Sequence, residues 1–114
     1  MAELTTTDLI LKVLSKYKLC SKCLGKLYHD IGYIDDEEKG ESIKIVLYME
    51  AHKHIQEGNY NYGVELLKIL FENSNFYPAY LSLKELNINV EKKEFLCDLC
   101  TGKVDLSNLK EEVE

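Results

Sequence analysis

The sequence predicts a mainly α-helical domain of about five helices whose N-terminal and C-terminal ends are joined at one zinc ion. Apolar residues recur three and four positions apart along most of the chain, which is the spacing of amphipathic helices. The cysteines form two Cys-x-x-Cys pairs, one near each end of the chain, and none is left over. These four residues are Cys20, Cys23, Cys97 and Cys100. At 114 residues the chain is long enough for one domain with a modest core.

The composition is that of a globular protein, with 46% hydrophobic residues, 30% charged residues and a net charge of −6. No apolar run approaches the roughly 20 residues of a membrane span, and the first residues lack a signal-peptide pattern. We therefore expect a cytoplasmic protein with no membrane partner. In a reducing cytosol paired cysteines are more often metal ligands than disulfides, but disulfides and a redox dithiol remain open alternatives.

Two helices are predicted around the first cysteine pair. The first opens at the capping-box pattern from Thr5 to Asp8, and a second follows the cysteines and stops at Gly32. Apolar positions of the first helix are Ile10, Val13, Leu14 and Tyr17. Those of the second helix are Leu24, Leu27, Tyr28 and Ile31. The first cysteine pair thus lies between two helices that each bury one face.

A long central helix is predicted from the acidic residues 35–38 to about Glu57, ending at Gly58. It carries two apolar rows, so we expect contacts on more than one side. The first row is Ile43, Val46 and Leu47. The second row is Ile45, Tyr48, Met49 and His52.

The remaining segments are shorter. Val64, Leu67, Leu70 and Phe71 predict a fourth helix. Pro78 opens a fifth helix that ends near Leu86. Residues 88–96 are either a short strand or an extended lead-in to the second cysteine pair. We place the helical zinc-binding domain at residues 1–104 and an acidic C-terminal helix or linker at residues 105–114.

Four cysteines complete the tetrahedral coordination of zinc, which is typical of a structural site that keeps no open position for catalysis. One zinc ion with four thiolates carries a charge of −2, and nearby cations lower the cost of that charge. The lysines near the ligands are Lys18, Lys22, Lys26, Lys92, Lys93 and Lys103. Three interpretations of these lysines stay open: they offset the thiolate charge, they contact RNA phosphates, or they are only solvated surface charges.

The sequence offers no catalytic residues. It contains no Ser/His/Asp set and no glycine-rich phosphate loop. Four aromatic residues at predicted helix starts and loop ends either stack on bases or cap the core. They are Tyr60, Tyr62, Phe76 and Tyr77.

Three segments carry a family resemblance: LCSKCLGK at residues 19–26, EEKG at residues 37–40 and CDLCTG at residues 97–102. In this order and wide spacing they resemble the N-terminal zinc-binding region of the archaeal and eukaryotic tRNA pseudouridine synthases that act on TΨC-loop uridines. Lys26 and Lys39 stand where that family has arginine. The family's enzymes are much longer, and their catalytic aspartate belongs to a separate C-terminal domain.

The resemblance implies a non-catalytic accessory domain that helps an adjoining RNA-binding module and a catalytic domain to hold tRNA. The chain is then either a fragment of such an enzyme or a free-standing relative of it. Lysines beside the cysteines are the expected RNA contacts, namely Lys18, Lys22, Lys26 and Lys103. The alternative is a free-standing zinc-stabilised module that docks its acidic surface on a basic protein partner.

Overall fold

The computed structural model describes residues 6–113, with only the backbone described for Thr6. Within this range the chain forms six α-helices and one short 3₁₀ helix, Glu37–Lys39. The α-helices are α1 (Thr6–Leu14), α2 (Ser21–Asp30), α3 (Gly40–Gln56), α4 (Tyr60–Ser74), α5 (Tyr77–Glu85) and α6 (Leu106–Val113). The mainly helical fold is confirmed. None of these helices is both long and apolar enough to cross a membrane.

Helices α1 and α2 bury the predicted positions. Three apolar residues of α1 and three of α2 are fully buried: Ile10, Val13, Leu14, Leu24, Leu27 and Tyr28. The capping box predicted at Thr5 lies outside the described residues. Helix α1 ends at Leu14, so Tyr17 packs on the core from beyond the helix. Gly32 follows α2 with φ +78°, a left-handed conformation that suits glycine at a helix end.

Helix α3 is the central helix, as predicted, because it packs against α1, α2 and α4. Its first apolar row is buried at Ile43 and Leu47. The contacts expected on more than one side are present, and Tyr48 of the second row packs against the core, but Ile45 is 44% and Met49 65% exposed. Tyr48 and His52 of that row form hydrogen bonds with Ser82 of α5, whereas the side chains of Ile45 and Met49 are exposed. Val46, from the first row, is 39% exposed as well.

Helices α4 and α5 are antiparallel neighbours joined by a short turn. Asn75 has φ 51° and closes α4, and Pro78 lies in the first turn of α5 as predicted. After α5 the chain has no regular element over residues 88–97, and no strand occurs within residues 6–113. The lead-in to the second cysteine pair thus has no regular structure, and the alternative of a short strand is wrong.

Helix α6 returns to the start of the domain. It packs on α1 and α2, with Leu109 fully buried and Val113 9% exposed. Lys16 Nζ, just after α1, donates to Glu112 Oε2 at 2.8 Å. The division of the chain at residue 104 stays a prediction.

Candidate metal centre

The four cysteine side chains meet at one point, as the sequence predicts. All four Sγ atoms lie within 4.8 Å of one another. Cys23 Sγ is 3.4 Å from Cys100 Sγ and 3.5 Å from Cys97 Sγ, and the Cys20–Cys100 sulfur distance is 3.8 Å. A tetrahedral Zn–S₄ group with bonds of about 2.3 Å has sulfur–sulfur edges of about 3.8 Å. A disulfide bond would need about 2.05 Å, so these free cysteines form a cage that can hold one metal ion.

The first cysteine knuckle, residues 20–23, is built into a helix start. Cys20 is the N-cap residue of α2 with extended backbone, and Cys23 lies in the first turn. Unpaired backbone N–H groups and the helix dipole give this end a partial positive charge, which favours thiolates. Cys23 is only 6% exposed. Burial raises the pKa of its thiol, so a metal ion is the partner that would hold it as thiolate.

A contact between two glycines fixes the position of the first knuckle. A Cβ atom on Gly25 would lie 1.8 Å from the carbonyl oxygen of Glu37. On Gly40 it would lie 1.8 Å from the carbonyl oxygen of Ser21 and 2.8 Å from the Gly25 nitrogen. The start of α3 therefore presses backbone to backbone on the start of α2. This contact explains the glycine in LCSKCLGK and the glycine in EEKG, which are far apart in sequence.

The second cysteine knuckle, residues 97–100, lies in a turn at the end of the irregular segment. Backbone N–H groups of Cys20 and Cys100 each donate to Cys97 Sγ at 3.5 Å. Burial alone would raise the pKa of the Cys97 thiol, but these N–H groups and the neighbouring thiols outweigh burial and lower it to about 7. Thr101 Oγ1 donates to the Cys97 carbonyl at 2.8 Å and closes the turn. Such N–H to sulfur bonds orient a ligand for the metal.

Asp98 joins the two knuckles directly. Its carboxylate Oδ2 accepts from the backbone N–H of Lys18 at 2.9 Å, and its own N–H donates to the Lys18 carbonyl at 2.6 Å. Its carbonyl accepts from Lys103 N at 2.9 Å. The sequence does not predict this role of Asp98, because its partner Lys18 lies eighty positions earlier in the chain.

Lys44 is a second residue that the sequence analysis missed. It is 4% exposed, and Nζ donates to the Ser74 carbonyl at 2.7 Å. Burial lowers its pKa, while Glu41 and Cys20 oppose that shift. Its ammonium group thus lies close enough to the first knuckle to offset thiolate charge. A signal was present in the sequence, because position 44 falls on the buried stripe of α3, namely Gly40, Ile43, Lys44, Leu47 and Ala51.

The four lysines expected to contact RNA are all exposed. Lys22 and Lys26 border a depression of about 420 Å³ together with three acidic residues, Glu37, Glu38 and Glu41. Lys18 borders a different depression, of about 350 Å³, on the α4 side. The structure therefore pairs Lys22 with Lys26 and places Lys18 elsewhere around the metal centre.

Curated proteins described as tRNA pseudouridine synthase Pus10 are similar to this chain. The protein of Ignisphaera aggregans is 36% identical over 101 residues, which are 86% of this chain and 23% of that protein. The protein of Caldivirga maquilingensis is 33% identical over 105 residues, which are 90% of this chain and 25% of that protein. The protein of Vulcanisaeta distributa is 36% identical over 90 residues, 77% of this chain and 21% of that protein.

The chain thus spans about a quarter of the length of these relatives. A match that covers 90% of 114 residues leaves only about a dozen unmatched, so the Caldivirga alignment has to include both cysteine pairs. The family resemblance seen in the three sequence segments is confirmed. No protein-family model and no solved structure matches the chain.

Proposed function

Because the chain is homologous to about a quarter of tRNA pseudouridine synthase Pus10, we propose that it is a zinc-bound accessory domain that helps to bind tRNA during pseudouridine formation. The observation that carries this proposal is the alignment with archaeal Pus10 proteins across both cysteine knuckles. In the proposal the tRNA is modified in its TΨC loop, in the cytoplasm. In this proposal a separate catalytic domain isomerises the base, and an RNA-binding module adjoins it.

Zinc is the metal that suits the cage best. Four sulfur ligands in a tetrahedral arrangement are the donor set of structural zinc sites. Three of the sulfur–sulfur distances, at 3.4 to 3.8 Å, are close to the edges of such a group, and all four sulfur atoms lie within 4.8 Å of one another. Bound zinc would supply a cross-link between residues 20–23 and 97–100, and four protein ligands leave no position for a catalytic water.

Lys22 and Lys26 are the proposed tRNA contacts beside the metal. Both are exposed on α2, one turn apart, so one phosphate backbone can pass over both. Lysine binds phosphate as a point charge and releases counterions from the RNA. The role of this domain is therefore to position tRNA through its backbone, without reading a base sequence.

The test is tRNA affinity as a function of salt for Lys22→Glu and Lys26→Glu. Each change should weaken binding at every sequence and reduce the salt slope by about one. Lys53→Glu is the matched control, because it makes the same charge change on an exposed lysine near the other end of α3, about 20 Å along the helix axis from Gly40.

Equal losses from all three substitutions would show that only net charge matters and would contradict the proposed contact. Absence of tRNA binding by the unmodified zinc-loaded chain at low salt would contradict the accessory role itself. That second result would favour the protein-interaction module instead.

A further inference from the structure

Three aromatic rings form a stack at the surface beside the metal centre. The Phe71 and Tyr80 ring centroids are 4.8 Å apart with planes at 36°, and those of Tyr80 and Tyr77 are 5.7 Å apart at 33°. We call Phe71, Tyr80 and Tyr77 the aromatic platform. Phe71 and Tyr80 are partly buried, whereas Tyr77 at the outer end is 52% exposed. The ring at the outer end is thus about half open to solvent.

Two lysines lie over the rings of this platform. Lys92 Nζ is 4.8 Å from the Tyr80 centroid and 5.3 Å from the Tyr77 centroid. Lys84 Nζ is 5.6 Å from the Tyr80 centroid. Within residues 6–113 no carboxylate lies within 4.0 Å of either ammonium group, and Glu91 pairs with Lys93 instead. Both cations are therefore available to an anionic ligand at the platform.

The aromatic platform is continuous with the metal centre. A depression of about 480 Å³ is lined by residues of both regions, among them Cys20 and Lys22 of the first knuckle and Tyr77 and Pro78 of α5. Its floor includes Lys44, whose ammonium group is held by the Ser74 carbonyl. A strand of RNA that contacts Lys22 can thus pass over this depression and reach Tyr77.

We propose that the aromatic platform binds an unpaired RNA nucleotide, with the base stacked on Tyr77 and the adjoining phosphates held by Lys84 and Lys92. This inference rests on the proposed function, because it names a second tRNA contact of the same domain. Aromatic side chains stack on any base, and flanking cations hold the backbone. Duplex RNA offers no free base face, so the platform selects an unpaired segment.

The opposite end of α4 shows what distinguishes this surface. Tyr60 and Tyr62 are 43% and 42% exposed, nearly as much as Tyr77. Tyr62 meets His54 edge to face at 4.7 Å, and among the described residues no lysine lies over the ring of Tyr60 or Tyr62. Exposed tyrosines alone therefore do not make the site, and Tyr60 supplies a matched control.

The experiment measures binding of the zinc-loaded chain to a labelled single-stranded oligouridylate of about ten nucleotides, to the corresponding duplex and to tRNA. Tyr77→Leu should weaken binding to the single strand between about five-fold and one hundred-fold. Tyr77→Phe keeps the ring and should bind like the unmodified chain. Tyr60→Leu should leave the affinity for the single strand unchanged. None of these substitutions should change the affinity for the duplex.

Lys92→Gln and Lys53→Gln form the second matched pair. Lys92→Gln should weaken single-strand binding and lower its salt slope, and Lys53→Gln should do neither. The purely structural alternative is that Lys92 only fastens residues 88–97 to α5. A lower melting temperature with unchanged RNA affinity for both Tyr77→Leu and Lys92→Gln would establish that alternative and overturn the platform.

The two proposals fail differently. If the unmodified chain binds tRNA through Lys22 and Lys26 but Tyr77→Leu changes nothing, only the aromatic platform is overturned. If the unmodified chain binds neither tRNA nor the oligouridylate, both proposals are overturned.

Discussion

The two cysteine knuckles are held by different means. The first knuckle is the start of a helix, and backbone contact between Gly25 and Gly40 presses that helix on α3. The second knuckle ends ten residues that contain no regular element and precedes a turn at Gly102. Packing of α2 on α3 therefore positions the first pair of sulfur atoms, whereas the second pair follows a segment without regular structure and is joined to the first through hydrogen bonds of Asp98 and Cys97. The two halves of the cage thus differ in how much regular structure supports them.

The four cysteine side chains differ in how deeply they are buried. Cys23 and Cys97 are each 6% exposed and face the core, whereas Cys100 is exposed at the outer edge of the cage. A metal ion bound to the first knuckle alone would still need two ligands from residues 97–100. We therefore expect the ordering of that segment to be coupled to metal binding, as in small domains that fold around zinc.

Removal of the metal should have the largest effect and should fall mainly on the second knuckle. Structural zinc contributes about 10 to 16 kcal/mol in finger peptides, which is the scale of the stability of a whole domain. We expect chelation to lower the melting temperature and to abolish hydrogen-exchange protection in residues 97–104 before protection in α3 and α4. Calorimetry and exchange measurements with and without one equivalent of Zn²⁺ check this.

Cys100→Ser supplies the control for chelation. It should reproduce the behaviour of the metal-free chain, and added Zn²⁺ should restore the chelated unmodified chain but not this variant. A cooperative melt at unchanged temperature after complete metal removal would contradict a structural role for the metal.

A methyl group at the glycine contact should have the next largest effect and should fall on the first knuckle. Gly25→Ala or Gly40→Ala places Cβ within 1.8 Å of a backbone carbonyl oxygen, and backbone cannot move away as a side-chain end can. We expect a loss of about 3 kcal/mol or more, at the upper end of overpacking effects, because α2 and α3 have to separate. Denaturant unfolding of the zinc-loaded chain measures the loss.

Gly32→Ala separates this steric effect from backbone strain. Gly32 has φ +78° with nothing within 4 Å of an added Cβ. Its substitution should cost about 1 to 2 kcal/mol and leave zinc affinity unchanged. If Gly25→Ala costs no more than Gly32→Ala, the close approach of α2 and α3 is not what positions the first knuckle.

Asp98→Ala should have an intermediate effect on the contact between the knuckles. It removes the acceptor for Lys18 N and leaves that N–H without its partner, which costs about 1 to 3 kcal/mol when the group is buried and less when water reaches it. Asp98→Asn keeps an acceptor and should recover most of the loss. Zinc affinity should fall for alanine more than for asparagine, and equal values for both variants would exclude the hydrogen bond as the cause.

The sequence predicts the local parts of this structure and misses the contacts between distant residues. Helical spacing and the stops at Gly32 and Gly58 are local patterns, and the clustering of the cysteines follows from the two Cys-x-x-Cys pairs. The Gly25–Gly40 and Lys18–Asp98 contacts join positions that no local pattern relates. Zinc as the bound metal and lysines as RNA contacts stay predictions.

The two rows of α3 show a second reason why the sequence pattern does not predict every buried position. In the sequence both rows are apolar and equally suited to burial. Only the tertiary arrangement decides that Ile43 and Leu47 are buried, while Ile45 and Met49 are exposed. Lys44 is the converse case, since a charged residue holds a buried position where its ammonium group donates to the Ser74 carbonyl and lies 3.8 Å from Glu41 Oε2.

The smallest predicted effect concerns Glu112, which fastens the chain after the second knuckle to the residues before the first. The hydrogen bond from Lys16 lowers the pKa of this carboxyl below its usual value of 4.5. Its contribution is therefore complete above pH 4.5 and is lost as the pH falls through the lower folded-state pKa. Exchange protection of α6 should decline in that range for the unmodified chain. Glu112→Gln should have weaker protection at neutral pH and a flatter decline.

Acid also releases metal from thiolates, but it does so in both proteins, so the difference between their pH profiles isolates Glu112. Parallel profiles would show that α6 is held by its other contacts, namely the buried Leu109 and Val113 and the Lys110–Asp30 ion pair at 3.6 Å. The second knuckle would then be anchored through these contacts on one side and the metal on the other. In that case the metal, and not the Lys16–Glu112 ion pair, would account for the difference between the two knuckles.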